Sequence, residues 1–298
     1  MTTNANSETL RSTGSIDDML SRIESFGAIF DTVDLIGLGF VVLILLELVS
    51  DIARRKRRAL SEPLANLSFQ LVALLLYNTA YALVVVSVFA LLEPFALVDI
   101  PITAWSWVLC LLAADFTYYW MHRAEHRVRL FWALHSVHHS SEEYDLSTSL
   151  RIFWLIDFSI VLFFAPLVLI GFSGPQVLGC MVVVFTYMIW VHTQRIGKLG
   201  WFDRFFSSPS VHRVHHGRNS QYIDKNYAGI FLIWDRLFGT HEPEVEPVRF
   251  GISHPVSSSN PLRIGMHEIP MLVRDIRRRR GWKNKFLTLV MPPDWDPS

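Results

Sequence analysis

Histidine is the residue type in this chain whose positions and spacing could do chemistry. Nine of the twelve histidines fall into four sets along the chain. The sets are His122 and His126; His135, His138 and His139; His192; and His212, His215 and His216. The pattern His-x-x-His-His therefore occurs twice. Positions i, i+3 and i+4 of an α-helix share one face, so each copy directs three imidazoles into the same space.

This concentration of imidazoles predicts a metal centre. A lone histidine on an apolar face more often has a structural role, but many buried imidazoles without a common partner would each carry a desolvation cost. One ion takes about four to six ligands, so the nine imidazoles suit two ions with coordination positions left open. Imidazole binds zinc, copper, iron and nickel, and the ligand type alone does not select among these metals.

The composition places these histidines in a membrane protein. Apolar residues make up 51% of the 298 residues and charged residues only 18%, whereas soluble domains carry about 25% charged residues. A spanning helix takes about 20 apolar residues, and apolar segments lie at 35–50, 64–92, 100–121, 153–171 and 176–193. The predicted fold class is all-α, a polytopic helical protein. It has four or five spans, depending on whether the first segment crosses the membrane.

The two last apolar segments are predicted to form a hairpin, because the sequence GFSGP at 171–175 breaks helices and favours a turn. Loops rich in Lys and Arg face the cytoplasm, and such loops lie at 53–63, at 122–151 and after residue 194. Each histidine set lies at the predicted cytoplasmic end of a span or in a predicted cytoplasmic loop. The sequence thus predicts a cytoplasmic, histidine-rich helical cap with a dinuclear site, in a bacterial inner membrane or the endoplasmic reticulum.

The chain divides into three predicted regions. Residues 1–33 form a polar tail and an amphipathic helix that begins at a capping box of Ser15 and Asp18. Residues 34–245 form the membrane-embedded domain, and residues 246–298 form a basic C-terminal tail. The mixture of basic and apolar residues in this tail is typical of an interfacial helix on anionic lipid, although a solvated basic tail has the same composition. The net charge of zero gives no indication of a nucleic-acid partner.

The predicted place of the metal centre suggests its task. A metal site under spans that admit an acyl chain suits attack on lipid carbon atoms. Unactivated C–H bonds resist acid, base and nucleophile chemistry, so iron, which activates dioxygen, is the natural choice. A metal transporter would need polar ligands near the middle of several spans, and the sequence disfavours it. Zinc-dependent hydrolysis would need only three ligands and an open position.

The order HxxxH, HxxHH, HxxHH around hydrophobic hairpins resembles the fatty acid hydroxylase/sterol desaturase superfamily of membrane di-iron oxygenases. The resemblance covers about residues 100–240. The strings HSVHHSSEEYDLSTSLR and VHTQRIGKLGWFDRFFSSPSVHRVHHGRNSQYIDKNYAGIFLIWDRLFGT look most like the alkylglycerol monooxygenase branch. One departure is Asp145, where that branch is expected to have asparagine after EEY.

The resemblance implies that the nine histidines bind two iron ions, with dioxygen as co-substrate and a membrane lipid as substrate. It implies hydroxylation of the ether-bearing carbon of an alkylglycerol, with release of a fatty aldehyde. Tetrahydrobiopterin or another electron donor would supply the electrons. The other reactions of the superfamily, hydroxylation or desaturation of sterols, carotenoids or fatty acyl chains, remain alternatives.

Three carboxylates are predicted to assist the chemistry. Asp115 shares a helical face with His122, so it could accept a hydrogen bond from a ligand imidazole and fix its tautomer; a structural pair with Arg123 or a tyrosine is the alternative. Glu142 and Glu143 follow the central histidine set directly. One of them could complete a coordination sphere, orient a ligand or contact the pterin, and the alternative for both is a solvated loop.

Two further polar residues are predicted to stabilise the last histidine set. Asn226 in DKNYAG and Asp235 in WDRLFGT are expected to order the loop and the helix cap after that set. Glu47 and Asp157 lie in apolar segments. Pairing, or extension toward the end of a span, accounts for them without a chemical role.

Overall fold

The structure is a computed structural model that describes residues 16–54 and 60–296. Within these ranges the regular structure is helical, and the only β pairing is an isolated bridge between Phe206 and Phe231. The all-α prediction is therefore confirmed. The polar tail predicted at the N-terminus, including the capping residue Ser15, lies outside the described residues.

The α-helices are, in chain order, α1 (Ile16–Ala53), α2 (Ser61–Val72), α3 (Asn78–Leu92), α4 (Ala104–Arg127), α5 (Arg129–His139), α6 (Asp157–Ile170), α7 (Gly174–Trp190), α8 (Pro209–His215), α9 (Ile233–Leu237), α10 (Pro261–Gly265), α11 (Ile269–Arg278) and α12 (Trp282–Val290). A π-helical segment, Ala73–Tyr77, joins α2 to α3. Short 3-10 turns lie at Glu93–Phe95, Leu146–Leu150, Trp154–Ile156 and Phe202–Arg204.

Four apolar helices, α3, α4, α6 and α7, form the main bundle. Helix α4 is central, because it packs against α5, α6 and α7, and α1 packs on the outside of α7. The interior is filled by fully buried apolar side chains such as Phe89, Ala114, Phe164 and Val184, one from each helix. Burial of this apolar surface positions the ends of α4 and α7 side by side.

The outer surface of the bundle is also apolar. Leu83 is 64% exposed and Leu162 is 65% exposed, which is what contact with lipid chains requires. The segment Leu35–Ala53 of α1 is long and apolar enough to cross a membrane, and the α2–α3 pair would be a second such segment if it forms one span. Helices α6 and α7 are shorter, and α4 is not among the candidates in the described chain. Four or five spans, with a cytoplasmic cap, stay predictions.

Two elements differ from the sequence prediction. Helix α1 runs without interruption through residue 33, where a boundary between an amphipathic helix and the membrane-embedded domain was expected. The expected single span at 64–92 is two helices bent by 58° at the π-helical segment. Apolar composition indicates that a segment is buried or faces lipid, but it does not reveal a π-helical bend within such a run.

The predicted hairpin between the last two apolar segments is confirmed. Helix α6 ends at Ile170, and Ser173 caps α7 by accepting a hydrogen bond from the backbone N–H of Gln176. Gly171 has φ +136°, and a Cβ there would lie 2.3 Å from the carbonyl oxygen of Val98. Only glycine fits this turn, because the backbones approach closely and φ is positive.

The C-terminal helices pack under the histidine-bearing helix α5. Arg129, at the start of α5, forms a buried ion pair with Glu268, with 2.8 Å between Nη2 and Oε2. Its backbone N–H donates to the carbonyl oxygen of Met291 at 3.0 Å. Helices α11 and α12 both contact α5. The region predicted as a basic tail is therefore a folded part of the cap.

Candidate metal centre

The nine histidines converge where α4, α5, α7 and α8 end. Helix α4 carries two of them and α5 carries three, in each case within the last two turns. One lies two residues after the end of α7, and three belong to α8 and to the residue that caps it. They form two groups, and within each group all the potential ligand atoms lie within 4.8 Å of one another. The five-histidine group is His122, His126, His135, His139 and His215, and the four-histidine group is His138, His192, His212 and His216.

The two groups touch each other. The rings of His139 and His216, one from each group, are stacked with 4.3 Å between their centroids and 21° between their planes. His138 and His139 are adjacent in α5 and belong to different groups. The two His-x-x-His-His patterns, distant in sequence, thus meet in space as predicted. Their histidines could hold two ions side by side.

The distances between ring nitrogens fit metal binding. In the five-histidine group, Nε2 of His139 lies 3.1 Å from Nε2 of both His126 and His215. Two nitrogens bound to one ion at about 2.1 Å and at right angles would lie about 3.0 Å apart. The Nε2 atoms of His122 and His135 are buried without a hydrogen-bond partner among the described residues. A shared cation would give these unpaired nitrogens the partner that burial requires.

Backbone carbonyls fix which ring nitrogen is available in the five-histidine group. His122 Nδ1 lies 3.0 Å from the carbonyl oxygen of Tyr227, and His215 Nδ1 lies 2.9 Å from that of Lys225. A carbonyl oxygen only accepts, so each Nδ1 carries the proton and donates it. The lone pair of each neutral ring is then on Nε2, the atom that points into the group.

The four-histidine group is arranged in the same way. His192 Nδ1 donates to the carbonyl oxygen of Met188 at 2.8 Å. Its Nε2 lies 3.1 Å from the Nε2 atoms of His138 and His212. His212 Nε2 in turn lies 3.2 Å from that of His216. Nε2 is again the atom directed at a common centre.

Burial keeps these imidazoles neutral. It is the largest cause of the lowering of the pKa of His215 from 6.5 to about 3. Burial, followed by the repulsion of neighbouring imidazoles, also places the pKa values of His139, His212 and His216 well below the ordinary value. Neutral imidazole is the form that binds metal ions, so the site is ready for a cation at neutral pH.

A buried carboxylate that the sequence analysis did not single out orients one ligand. Oε2 of Glu125, in α4, lies 2.9 Å from Nδ1 of His135, in α5. The other oxygen of Glu125 accepts from the hydroxyl of Ser159 at 3.2 Å. A carboxylate on the outer nitrogen of a histidine fixes the tautomer and increases the basicity of the nitrogen that binds the metal.

Asp115 has a different role from the predicted one. Its Oδ1 accepts from the backbone N–H of Ile230 at 2.6 Å, and its Oδ2 accepts from Phe231 N–H at 3.1 Å and from Trp234 Nε1 at 2.8 Å. Neither a ligand imidazole nor Arg123 is among these partners. Asp115 thus ties the loop before α9 to the middle of α4. The reason is that buried backbone N–H groups at that loop need acceptors.

The loop from Lys225 to Leu232, just before α9, supplies the carbonyls that hold His122 and His215. Asp235 accepts from the backbone N–H groups of Tyr227 and Ala228, at 2.8 Å each. Asn226, with φ 55°, donates to the carbonyl oxygens of Val211 and Glu242. The prediction that both residues order the loop after the last histidine set is confirmed, whereas the predicted helix cap is not found: Leu232 precedes α9 without a side-chain capping bond.

Close approach of this loop to the bundle requires glycine at one position. A Cβ at Gly229 would lie 2.7 Å from Oδ1 of Asp115 and 2.8 Å from Cγ1 of Val184. Distances this short would force the loop away from α4 and α7. The backbone of Gly229 therefore lies directly against the bundle.

Glu142 and Glu143 lie outside both histidine groups. Glu142 is exposed, and Glu143 is partly exposed. The backbone carbonyl of Glu143 accepts from the hydroxyls of Ser141 and Thr148, which orders the turn after α5. The structure gives neither carboxylate a place among the potential metal ligands of the described chain.

A buried arginine holds the end of α5, which carries His138 and His139. Arg151 has no exposed surface, and its Nε donates to the carbonyl oxygen of Val137 and to the hydroxyl of Ser140, at 3.1 Å each. Its Nη1 donates to Glu62 at 2.6 Å and to Asn66 at 3.2 Å. Arg151 thereby ties α2 to the C-terminal carbonyls of α5.

A cavity of about 350 Å³ opens onto one side of the metal centre. Four of the nine histidines form part of its wall, and the rest of the wall combines charged residues with apolar ones, including Arg127, Arg218, Asp224, Trp132 and Ile252. The carboxylate of Asp224 pairs with Arg127 and lies 3.7 Å from Nδ1 of His126. The centre is therefore buried, and a small polar molecule could reach it through this cavity.

Sequence reasoning missed Glu125 and Arg151. Glu125 lies in the string HRAEH, three residues after His122 and one before His126, and this proximity was a usable signal. Its partner His135, however, depends on how α4 and α5 meet at Val128. Arg151 gave no signal of its role as a link, because its partners in α2 lie 85 and 89 positions away.

Comparison with known proteins places this centre in a family. The family model named fatty acid hydroxylase matches residues 107–240. The chain is similar to alkylglycerol monooxygenase of Homo sapiens, with 40% identity over 208 residues that make up 69% of this chain and 46% of that protein. It is 41% identical to alkylglycerol monooxygenase of Danio rerio over 197 residues, 66% of this chain and 44% of that protein.

A bacterial enzyme also matches. Ornithine lipid hydroxylase of Rhizobium tropici is 34% identical over 143 residues, 47% of this chain and 43% of that protein. The chain spans about half the length of the curated relatives it matches. No solved structure matches the chain. The matched region 107–240 contains all nine histidines, Glu125, Asp115 and the loop that holds the rings. Through this region the chain belongs to the fatty acid hydroxylase family.

Proposed function

We propose that this protein is an oxygen-dependent di-iron monooxygenase that hydroxylates a C–H bond of a membrane lipid. One observation carries the proposal: nine buried imidazoles, in two adjacent groups, aim ligand nitrogens at two centres at one end of an apolar helical bundle. A single hydrolytic zinc ion needs only three protein ligands and an open position. Two sets of ligands suit a pair of redox ions instead.

The residues fit the metal that this chemistry needs. When bound, two iron ions would supply the activation of dioxygen, which unactivated C–H bonds require. The histidines of the two groups would hold them. The protein's own contribution is to keep the imidazoles neutral by burial, to fix their tautomers through the carbonyls of Lys225, Tyr227 and Met188, and to orient His135 through Glu125.

The apolar bundle supports a lipid as substrate. Its helices α4 and α7 end at the metal centre, so a chain lying along them would reach the centre from the membrane side. We infer on this ground that the bundle is inserted in a membrane, with the histidine cap on the cytoplasmic side. The exposed apolar residues of α1, α3 and α6 support the insertion. The loops rich in Lys and Arg support the cytoplasmic placement of the histidines.

An alkylglycerol is the first candidate substrate, because the relatives with 40% and 41% identity are named alkylglycerol monooxygenases. Hydroxylation of the ether-bearing carbon consumes one dioxygen, two electrons and two protons, and yields water and a hemiacetal. The hemiacetal then breaks its bond to the glycerol oxygen. The products are a fatty aldehyde and a free glycerol hydroxyl.

A second candidate is hydroxylation of an acyl chain in another lipid. The similarity to a protein named ornithine lipid hydroxylase favours a lipid other than an alkylglycerol as the substrate. Both candidates use the same centre and the same consumption of oxygen and electrons. They differ in the product, since hydroxylation of an acyl carbon releases no aldehyde.

The cavity beside the two histidine groups is proposed as the entrance for the electron donor. Four ligand histidines line it, and Arg127, Arg218 and Asp224 provide charged groups for a small polar molecule. Tetrahydrobiopterin or another soluble donor would then reach the centre from the side opposite the lipid. The two substrates would approach without competing for one entrance.

Metal analysis of protein purified anaerobically tests the proposal. We expect about two irons per chain, with a spectroscopic signature of coupled ions in Mössbauer spectra. His254→Ala is a suitable control, because His254 is exposed and lies outside both groups. Zinc or sub-stoichiometric metal, together with no lipid-dependent oxygen consumption after iron loading, would overturn the proposal and favour a hydrolase or a metal carrier.

Product analysis separates the two candidate substrates. Iron-loaded protein in lipid vesicles is given an alkylglycerol or an ester-linked lipid, with and without tetrahydropterin. Fatty aldehyde formed from the alkylglycerol alone supports the first candidate. A hydroxylated acyl chain without aldehyde supports the second, and a double bond in the product would instead assign desaturation.

A further inference from the structure

The C-terminal helices present an exposed stripe of large apolar side chains. Along α12, Trp282 is 82% exposed, Phe286 is 55% exposed and Val290 is 39% exposed. These positions are spaced by four residues and so share one face of the helix. Thr288, on the opposite face, is buried against the rest of the cap. Within the described chain, at least 39% of each of these three side chains is left uncovered.

Basic residues surround this stripe. Lys283 and Lys285 are exposed and lie on opposite sides of the stripe on α12, about 60° and about 100° from its centre. The neighbouring helix α11 and the turn after it add exposed arginines, at Arg274, Arg277, Arg278 and Arg280. The segment 269–290 contains seven basic residues and one acidic residue, Asp275. Asp275 faces Arg129 at 3.7 Å and is therefore turned toward the cap.

We propose that this face of α11 and α12 binds the surface of an anionic lipid bilayer. An apolar stripe flanked by Lys283 and Lys285, next to a helix with exposed arginines, matches a bilayer surface, where the aromatic rings enter the headgroup region and the cations meet anionic headgroups. A second copy of this chain is a poor occupant, because a two-fold contact would bring two strongly basic faces together. The inference does not depend on the reaction proposed above.

The position of the surface is fixed relative to the metal centre. Arg129, at the start of α5, pairs with Glu268 ahead of α11 and donates its backbone N–H to Met291 after α12. The same helix carries His135, His138 and His139 within its last two turns. Binding of α11 and α12 to a bilayer would therefore set the depth of the histidine-bearing helix at the headgroup level.

A fluorescent label at the stripe tests the proposal with the full chain. Phe286→Cys is labelled with an environment-sensitive fluorophore, while Cys110 and Cys180 are buried at 0% and 2% exposure. The protein is reconstituted in phosphatidylcholine vesicles with or without about 30% phosphatidylglycerol. Val245→Cys, at an exposed apolar position outside both helices, is the matched control.

We expect a spin label on the lipid chains to quench the fluorophore at position 286 at least twice as strongly in the anionic vesicles as in neutral ones. Iodide in solution should lose access to it, and position 245 should show neither change. Each lysine near an anionic surface contributes about a fivefold change in partitioning. The double change Lys283→Glu and Lys285→Glu should therefore remove the effect of phosphatidylglycerol.

Two outcomes would overturn the proposal. Free access of iodide to position 286 in both vesicles would mean that the stripe faces water. Loss of iodide access without quenching by the lipid label would mean that a protein, or a second copy, covers the stripe. Hydrogen exchange of the backbone amides of α12 in the unlabelled chain separates bilayer binding from these two outcomes without a substitution. Only bilayer binding makes the protection of these amides depend on phosphatidylglycerol.

Discussion

Glu125 Oε2 lies 2.9 Å from Nδ1 of His135, and both side chains are almost completely buried. This contact joins the end of α4 to the end of α5. It leaves Nε2 of His135 as the free nitrogen of the ring, directed into the five-histidine group.

The change Glu125→Gln should weaken metal binding. An amide lacks the charge that increases the basicity of His135, and loss of such a partner costs about 10- to 100-fold in metal affinity. Iron content after dialysis against a graded chelator measures the change. Asp296→Asn, at a carboxylate 73% exposed, is the matched control. Equal iron retention by Glu125→Gln and the wild type would contradict the role given to Glu125.

Removing one ligand from each group should remove different ions. His139→Ala changes the five-histidine group and His192→Ala changes the four-histidine group. Each variant is expected to fall from about two irons per chain to about one, to lose lipid turnover, and still to insert in membranes. Iron analysis and membrane fractionation check both points. A variant of either kind with normal turnover would count against the ligand assignment.

The change Asp115→Asn should lower stability. All three donors to Asp115 point at carboxylate oxygens, so an amide would place an N–H group against an N–H group. One unsatisfied buried group costs about 1–3 kcal/mol, and thermal unfolding followed by circular dichroism should show a midpoint lower by several degrees. Trp234→Phe, which removes only one donor, should have a smaller effect. An unchanged midpoint with lost turnover would instead support a direct part in the chemistry.

The change Arg151→Met should destabilise the cap strongly. It removes a buried cation, its ion pair with Glu62 and its hydrogen bond to the carbonyl of Val137. Within the described chain, Glu62 would keep only the hydroxyl of Ser141 as a hydrogen-bond donor. Breaking such a pair from one side costs about 3–5 kcal/mol. The double variant with Glu62→Leu should recover part of this loss, as a double-mutant cycle would measure. Arg279→Ala, at an exposed pair with Asp296, should cost less than about 1 kcal/mol.

Much of the site could be predicted because its information is local. The spacing of His135, His138 and His139 places three rings on one face in any α-helix. The glycine at 171 and the residues after it break the helix wherever they occur. Helical periodicity and turn chemistry therefore predicted the convergence of imidazoles and the α6–α7 hairpin.

The remaining features depend on contacts between distant segments. Asp115 has partners 115 to 119 positions away, and nothing near it in sequence distinguishes a carboxylate that holds backbone N–H groups from one that holds an imidazole. Glu142 and Glu143 lie next to histidines in sequence but outside both groups in space. Proximity in sequence favoured these two over Glu125, whose partner is determined by the packing of α4 against α5.

Because Gly229 has no side chain, the loop after the last histidine set packs directly against the helical bundle. The backbone of Gly229 rests on Asp115 of α4 and Val184 of α7, and two residues earlier the carbonyl of Tyr227 holds His122. Closely packed contacts are nearly incompressible. A sideways displacement of α4 or α7, as when an acyl chain inserts between them, would therefore be transmitted through this glycine to the carbonyl and to the ligand ring.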